Sequence, residues 1–290
     1  MRSEKEMMDL ILNTAMEDPR IRAVYMGGSR TNPYVKKDIY QDYDIVYVVT
    51  ETGTFLKDKN WILRFGDLAI VQEPDLIDVS LGKEHDFSKS YTWLMLFKDG
   101  NRIDLGIKVL ESALEDYKSC SLTTLLLDKD NIMPPIPEAS DRDYIVKKPT
   151  EAAYKACCNE FWWCLNNVGK GIARDELTYT MWMYNVIVRD MLMKMLEWYI
   201  GIKTDFQVSV GKEGKFFKNF LPKDIYKKLQ GTYCDSNYEN LWKSIEVMTE
   251  LFREIGKTVG KILGYEYNEE EDKNIMEYLV KCHLKHYTKL

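Results

Sequence analysis

The sequence predicts an α+β domain, with a mixed sheet and helices, followed by an all-α helical-bundle domain. The first half alternates an amphipathic segment with short, apolar, strand-like runs, whereas the second half shows long stretches of helical periodicity. Between the halves, Met133–Pro149 holds four of the eight prolines and shows little periodicity. We therefore expect two domains, residues 1–135 and residues 150–290.

The elements of the first half follow from local patterns. Ser3 and Glu6 form a plausible capping box, which predicts a helix that begins there. The run DIVYVV, from Asp44 to Val49, is almost wholly apolar, as expected for a strand that is covered on both faces. The other predicted strands are Ile21–Met26, Leu68–Gln72, Tyr91–Phe97 and Arg102–Val109, with a hairpin turn at Asp99-Gly100-Asn101 between the last two.

The second half is expected to be helical throughout. Gly201 stands where a glycine that terminates a helix would stand. The predicted helices are Glu151–Val168, Asp175–Ile200, Pro222–Gln230, Ser236–Leu263 and Glu269–His286.

Composition excludes several classes of protein. The net charge of −6 argues against a protein held on nucleic acid by a broad basic surface. The longest apolar stretch, Thr180–Ile200, is interrupted by charged residues and predicts a buried helix, so we expect no membrane partner. The N-terminal segment has no apolar core of a signal peptide, and the six cysteines contain no CxxC pair, which favours reduced thiols in a cytoplasmic protein. We expect a monomer or a homodimer.

Two aspartates at the head of a buried strand carry the strongest chemical signal. Asp42 and Asp44 point to the same side of an extended chain, because side chains alternate along a strand. Their carboxylates repel each other unless a cation lies between them, and hard divalent ions such as Mg²⁺ prefer oxygen ligands. The alternative is that they are two polar residues that merely lead into a strand.

Three neighbouring features favour the metal-binding interpretation. Gly28 and Ser29 follow the preceding strand, where backbone N–H groups, a hydroxyl and the start of a helix can contact phosphate. Arg30 can balance phosphate charge, and Asp104 in a later strand can complete a cluster of three carboxylates. Each feature is weak alone, but their order and separation together are specific.

These residues lie in segments that resemble a known family. GGSR, then DYD, then a third aspartate in a later strand is similar to the DNA polymerase β-like nucleotidyltransferase superfamily, and more closely to the aminoglycoside 6-adenylyltransferases, which inactivate streptomycin. The segments that carry this resemblance span nearly the whole chain: GGSRTN (27–32), QDYDIVYVV (41–49), FGDLAIVQEP (65–74), YTWLMLFKDGNRIDL (91–105), LLLDKD (125–130), CCNEFWW (157–163) and SVGKEGKFF (209–217).

The resemblance implies a polymerase β-like sheet domain packed on a helical bundle, with ATP and substrate in the cleft between them. It also implies that Asp42 and Asp44 hold Mg²⁺, while Asp104 binds metal, activates the acceptor hydroxyl, or does both. The expected reaction is Mg²⁺-dependent transfer of AMP from ATP to a hydroxyl of a small cationic antibiotic such as streptomycin, with release of pyrophosphate. Metal ions neutralise the charge that develops during attack on the α-phosphate, so no covalent nucleophile is required.

Residues of the second half are assigned less directly. The resemblance implies that Lys212 and Tyr233 contact the nucleotide, although Lys212 can also be a solvated lysine in a loop. Glu160 is expected to face a cationic group of the substrate, with Trp162 and Trp163 able to stack against sugar or cation, although such aromatic pairs mostly serve the core. Glu176 is a second acidic candidate, whose alternative role is to complement a helix N-terminus.

Two other functions are compatible with the sequence. The first is a nucleotidyltransferase that acts on a protein or another small molecule, because a fold does not determine its acceptor. The second is a non-catalytic nucleotide-binding module with a regulatory role, which would be expected to have a damaged acidic cluster. All three acidic positions are intact here.

Overall fold

The computed structural model describes residues 1–287, the last three of them by their backbone only. It divides into two compact units, Met1–Asp143 and Tyr144–Leu290. The predicted domains, residues 1–135 and 150–290, lie within these units. No helix of the described residues is long and apolar enough to cross a membrane.

The first unit is built on a six-stranded mixed sheet, which confirms the predicted fold class for this half. The strand order is β3-β4-β5-β2-β1-β6, in which β2 and β5 run parallel and the other neighbours are antiparallel. The strands are β1 (Ile21–Met26), β2 (Tyr43–Val49), β3 (Leu68–Gln72), β4 (Ser90–Phe97), β5 (Arg102–Val109) and β6 (Thr124–Asp128).

Helices of this unit pack against both faces of the sheet. The helices are α1 (Glu4–Glu17), α2 (Gly53–Lys57), α3 (Pro74–Ser80) and α4 (Leu110–Ser119). The capping box of Ser3 and Glu6 is present at the start of α1, as predicted. The face of the sheet that carries Tyr47 packs against α1, and the Tyr47 hydroxyl donates to the Ile11 carbonyl oxygen at 2.7 Å. On the opposite face, Val48 packs with Ala113 of α4.

The second unit is helical, which confirms the other half of the predicted fold class. Its core is apolar and includes a stacked pair, Phe161 and Phe252, whose ring centroids lie 3.6 Å apart. The helices are α5 (Glu151–Ala173), α6 (Leu177–Trp182), α7 (Arg189–Lys203), α8 (Phe217–Phe220), α9 (Lys223–Gly231), α10 (Tyr238–Leu263) and α11 (Glu269–Tyr287).

One predicted helix of the second unit differs in detail from the structure, and one predicted cap is wrong. The expected helix Asp175–Ile200 corresponds to an unbroken helical run through α6 and α7, which contains a π-helical turn at Met183–Val188. Gly201 lies inside α7 and does not terminate it. A side chain at this position would overlap the ring of Phe206, since a Cβ would lie 2.6 Å from its Cδ1 atom, so close packing explains this glycine.

Candidate active site

The three predicted aspartates lie on one face of the sheet. Asp44 in β2 and Asp104 in β5 are direct partners in the parallel register, so their side chains are neighbours. Asp42 precedes β2 by one residue and lies two positions before Asp44. Asp44 lies on the same strand face as Val46 and Val48, because side chains on a strand alternate, and this is the face that packs with α4. The structure therefore brings together the acidic residues that alternation and spacing predicted.

The electrostatics of this cluster are those of crowded like charges. Burial raises the pKa of Asp44, and the neighbouring Asp104 and Asp42 carboxylates raise it further. Burial also raises the pKa of Asp42, and Asp104 adds to this, while the Arg102 guanidinium acts in the opposite direction. A cation near the cluster would relieve both effects, because it favours the ionised form of each carboxyl group.

Arg102 supplies part of this compensation. Its Nε and Nη2 atoms each donate to a different oxygen of Asp104, both at 2.7 Å, and its Nη1 atom lies 3.4 Å from Oδ2 of Asp42. This bidentate ion pair fixes the orientation of the Asp104 carboxylate. Sequence reasoning missed Arg102, although its position two residues before Asp104 on the same strand face was a usable signal.

The donor set suits a hard divalent cation in chemical type, because it consists of carboxylate oxygens from adjacent strands. Within residues 1–287, however, no group of three or more histidine, cysteine, aspartate or glutamate side chains converges closely enough to hold a metal ion. The reason is visible at Asp104, since both of its oxygens are turned toward Arg102. The residues fit Mg²⁺ in kind, and Asp104 would have to turn from Arg102 to join a metal site.

Gly28 allows the loop after β1 to pass directly over Asp44. Its φ of 71° and ψ of −160° lie in a region that is essentially restricted to glycine. A Cβ atom at Gly28 would lie 1.9 Å from Oδ2 of Asp44. The preceding residue, Gly27, donates its N–H to the Asp44 carbonyl oxygen at 2.8 Å and so ties the loop to β2.

Ser29 begins a single 3-10 turn, Ser29–Thr31, where a longer helix was considered from the sequence. A helix dipole therefore contributes little at this position. The Ser29 hydroxyl has no hydrogen-bond partner among the described residues and is partly exposed. Its carbonyl oxygen accepts from the Gln41 side chain at 3.2 Å, so the turn is attached to the segment that precedes Asp42.

Arg30 does not have the role that the sequence predicted for it. It is 6% exposed, and its Nη2 and Nε atoms donate to the carbonyl oxygens of Gln41 and Asp42 at 2.7 Å and 3.2 Å. Its guanidinium carbon lies 3.8 Å from the ring centroid of Tyr43, and Nη1 lies 3.5 Å from a Glu4 oxygen. The prediction that Arg30 contacts phosphate is therefore wrong. Its side chain has a structural role instead, because it holds the segment that leads to Asp42.

The acidic and aromatic residues that were predicted to contact substrate in the helical unit lie in different local environments. Glu160 is exposed on α5, where one of its oxygens accepts from the Cys164 thiol at 3.3 Å. Glu176 is an exposed residue at the start of α6, and its side chain makes no capping hydrogen bond. Trp162 is 1% exposed and belongs to the core, so its suggested stacking on substrate is wrong, whereas Trp163 is 64% exposed.

The turn that begins at Lys212 and the loop that carries Tyr233 both border one cavity of the helical unit. Lys212 is exposed in a 3-10 turn, Lys212–Gly214, in which Glu213 has a φ of 54°. A cavity of about 180 Å³ is lined by Glu213 and Gly214 from this turn and by Tyr233 from the loop after α9. Tyr233 therefore lies beside the turn that begins at Lys212, but the Lys212 side chain itself does not line this cavity.

Comparison with known proteins identifies the family of the chain. A family model described as Streptomycin adenylyltransferase matches residues 1–282. The chain belongs to this family. Its members are nucleotidyltransferases, which accords with the three carboxylates that lie on one sheet face.

Several known proteins resemble this member of the family over nearly their full length. A protein named aminoglycoside 6-adenylyltransferase from Campylobacter jejuni is 40% identical over 97% of this chain and 96% of its own. A protein of the same name from Bacillus subtilis is 38% identical over 96% of this chain and 97% of its own. A crystal structure of an aminoglycoside 6-adenyltransferase from Bacillus subtilis is 34% identical, with 98% and 99% coverage and a TM-score of 0.48.

Proposed function

We propose that this nucleotidyltransferase moves AMP from ATP to a hydroxyl group of an aminoglycoside, most suitably streptomycin, and thereby confers antibiotic resistance. The observation that carries the proposal is the in-register pair of Asp44 and Asp104, with Asp42 on the same face and the Gly28-Ser29 turn directly above Asp44. Relatives named aminoglycoside 6-adenylyltransferase support the choice of acceptor. The six cysteines of this chain are free thiols, which is compatible with a reducing cytoplasmic location.

The chain's own residues have distinct roles in the proposed reaction. Asp104 accepts the proton of the acceptor hydroxyl, because an alcohol is a poor nucleophile until a base takes up its proton. Asp42 and Asp44 would hold Mg²⁺, which when bound would offset the charge that develops on the α-phosphate. The Ser29 hydroxyl and the backbone N–H groups beside Gly28 donate to the phosphates. Lys212 and Tyr233 contact the nucleotide, and Glu160 and Glu176 pair with the cationic groups of the acceptor.

The test is an assay of product identity. The protein is incubated with ATP, Mg²⁺ and a panel of aminoglycosides, and the products are analysed by mass for AMP adducts and by a coupled assay for pyrophosphate. We expect an AMP adduct of streptomycin, one pyrophosphate per adduct, and loss of both when the metal is chelated. ADP or phosphate as the product would instead indicate a kinase, and AMP transfer to a protein or to another small molecule would refute the proposed acceptor.

A further inference from the structure

A buried arginine fixes the loop that carries Tyr233. Arg189 is the first residue of α7, directly after the π-helical turn Met183–Val188, and is 7% exposed. Its Nη1 atom donates to the Thr232 hydroxyl at 2.7 Å, and its Nη2 atom donates to the Thr232 carbonyl oxygen at 2.8 Å. Thr232 is wholly buried, so the residue that precedes Tyr233 is held by two hydrogen bonds to one guanidinium.

The same guanidinium supports the ring of Tyr233 from one side. Its central carbon lies 3.8 Å from the Tyr233 ring centroid, within the range of a cation–π contact. Tyr184 strengthens the arrangement, since its hydroxyl also donates to the Thr232 carbonyl oxygen at 2.8 Å. Tyr233 is nevertheless 57% exposed, so its ring is fixed on one side and accessible on the other. A rigid, exposed aromatic side chain is what a ligand contact requires, because little freedom is lost on binding.

The charge of Arg189 is poorly compensated. None of the carboxylates in residues 1–287 forms an ion pair with it, and the only side-chain oxygens that accept from it are neutral ones of Asn185 and Thr232. Its Nε atom is buried and has no hydrogen-bond partner in the part of the chain that the structure describes. A buried cation without a counter-ion is unfavourable, and an anion bound nearby would reduce this penalty.

The cavity beside Tyr233 has the chemistry to take such an anion. Lys215 and Lys218 line it, together with Glu213 and the backbone of Gly214, and its volume is about 180 Å³. Both lysines are exposed, and neither has a carboxylate partner within the described residues. The cavity is thus lined by two cationic side chains and one anionic one, and the Arg189 guanidinium lies against the Tyr233 ring. This balance suits an anionic group such as a chain of phosphates.

We propose that Arg189 is a positioning residue that presents Tyr233 to the polyphosphate chain of the nucleotide co-substrate. The inference rests on the proposed function, because it takes ATP as that co-substrate. To the proposed function, the inference adds a residue that does not contact the nucleotide itself. Arg189 acts by holding Thr232 and by supporting the Tyr233 ring, so its effect on nucleotide binding passes through Tyr233.

A double-mutant cycle tests this coupling. The affinity of the full-length protein for Mg²⁺ and α,β-methylene ATP is measured by calorimetry in Arg189→Met, Tyr233→Ala and the double variant. We expect each single substitution to weaken binding by about tenfold, and the double variant to be no weaker than either single one, because residues that act as a unit are not additive. In steady state, the KM for ATP should rise while kcat and the KM for the acceptor change little.

Arg253→Met is the matched control, because Arg253 also lies in the helical unit and contacts an aromatic ring, that of Trp162, but is paired with Asp272. It should leave nucleotide affinity unchanged. If Arg189→Met does not fold, Arg189→Lys keeps the charge but loses the planar fork, and it should weaken binding in the same sense.

The inference is overturned if the two single effects add, or if Arg189→Met or Arg189→Lys folds and binds the nucleotide normally. Normal binding by Tyr233→Ala would also overturn it, while AMP transfer by the unmodified protein would leave the proposed function intact. Conversely, coupled losses of nucleotide affinity in a protein that transfers no AMP would support the role of Arg189 and refute the proposed reaction.

Discussion

Replacing Gly28 by alanine should disable the acidic cluster without changing any of its members. A Cβ atom at this position would lie 1.9 Å from Oδ2 and 2.8 Å from Cγ of Asp44. Contacts of this kind need about 3 Å, so the Asp44 carboxylate must move by roughly 1 Å, a displacement that can lower a rate by about 10²-fold. The backbone conformation, with φ at 71°, adds a strain of about 1–3 kcal/mol for a residue other than glycine.

The assay is single-turnover AMP transfer to streptomycin, read beside a thermal melt. We expect Gly28→Ala to lose about 10²-fold in turnover. Its melting temperature should fall by roughly 2–4 °C for each kcal/mol of strain, so the protein remains folded at 25 °C. The turnover is therefore measured on folded protein, and the loss reports the displaced Asp44 rather than unfolding.

Gly27→Ala is the matched control for this experiment. A Cβ at Gly27 would meet the Leu122 carbonyl oxygen at 3.7 Å and the Asp44 Cβ atom at 4.0 Å, which are ordinary contacts. This variant should keep most of its turnover. If Gly28→Ala stays fully active, or if Gly27→Ala is equally damaged, the close approach of the loop to Asp44 is not what the reaction depends on.

Further substitutions separate the proposed roles. Asp104→Asn should lower single-turnover AMP transfer by about 10² or more, as for loss of a general base, yet still bind Mg-ATP by calorimetry; near-normal turnover would exclude Asp104 as the base. Asp42→Asn should instead weaken Mg-ATP binding as well as turnover, and unchanged binding would remove it from the metal site. Ser29→Ala and Lys212→Ala should each raise the KM for ATP with little change in melting temperature, and the reverse result would indicate a structural role. Glu160→Gln should raise the KM for streptomycin more than that for ATP, because a cationic group loses its carboxylate partner; equal changes would argue against substrate contact.

The acidic cluster was predictable because strand alternation is a local rule. Alternation alone places Asp42 and Asp44 on one side of the chain, and the hairpin turn at residues 99–101 identifies the strand that carries Asp104. The parallel pairing of β2 with β5, which makes Asp44 and Asp104 direct neighbours, joins residues 60 positions apart. Nothing local in the sequence specifies that pairing.

The elements that were missed or mistaken depend on tertiary contacts. Helix α4 and strand β6 were not predicted, since each is short and only partly buried, which weakens any periodic signal. The π-helical turn at Met183–Val188 lies within a sequence that is compatible with a continuous α-helix. Trp162 and Trp163 are adjacent and chemically alike, and only the packing of α5 decides that the first is buried and the second exposed.

The arginines explain why composition does not predict the role of a charged residue. Arg30 was expected to contact phosphate because of its position after Gly28-Ser29, yet its buried guanidinium holds the carbonyl oxygens that lead to Asp42. Arg102 was not singled out, yet it is the cation that contacts both Asp42 and Asp104. An arginine has five donors in a rigid fork, so its role is determined by which acceptors the fold places around it. Around Arg30 these are backbone oxygens, which fix the loop. Around Arg102 they are the carboxylates themselves, so any cation that binds Asp104 must compete with this guanidinium.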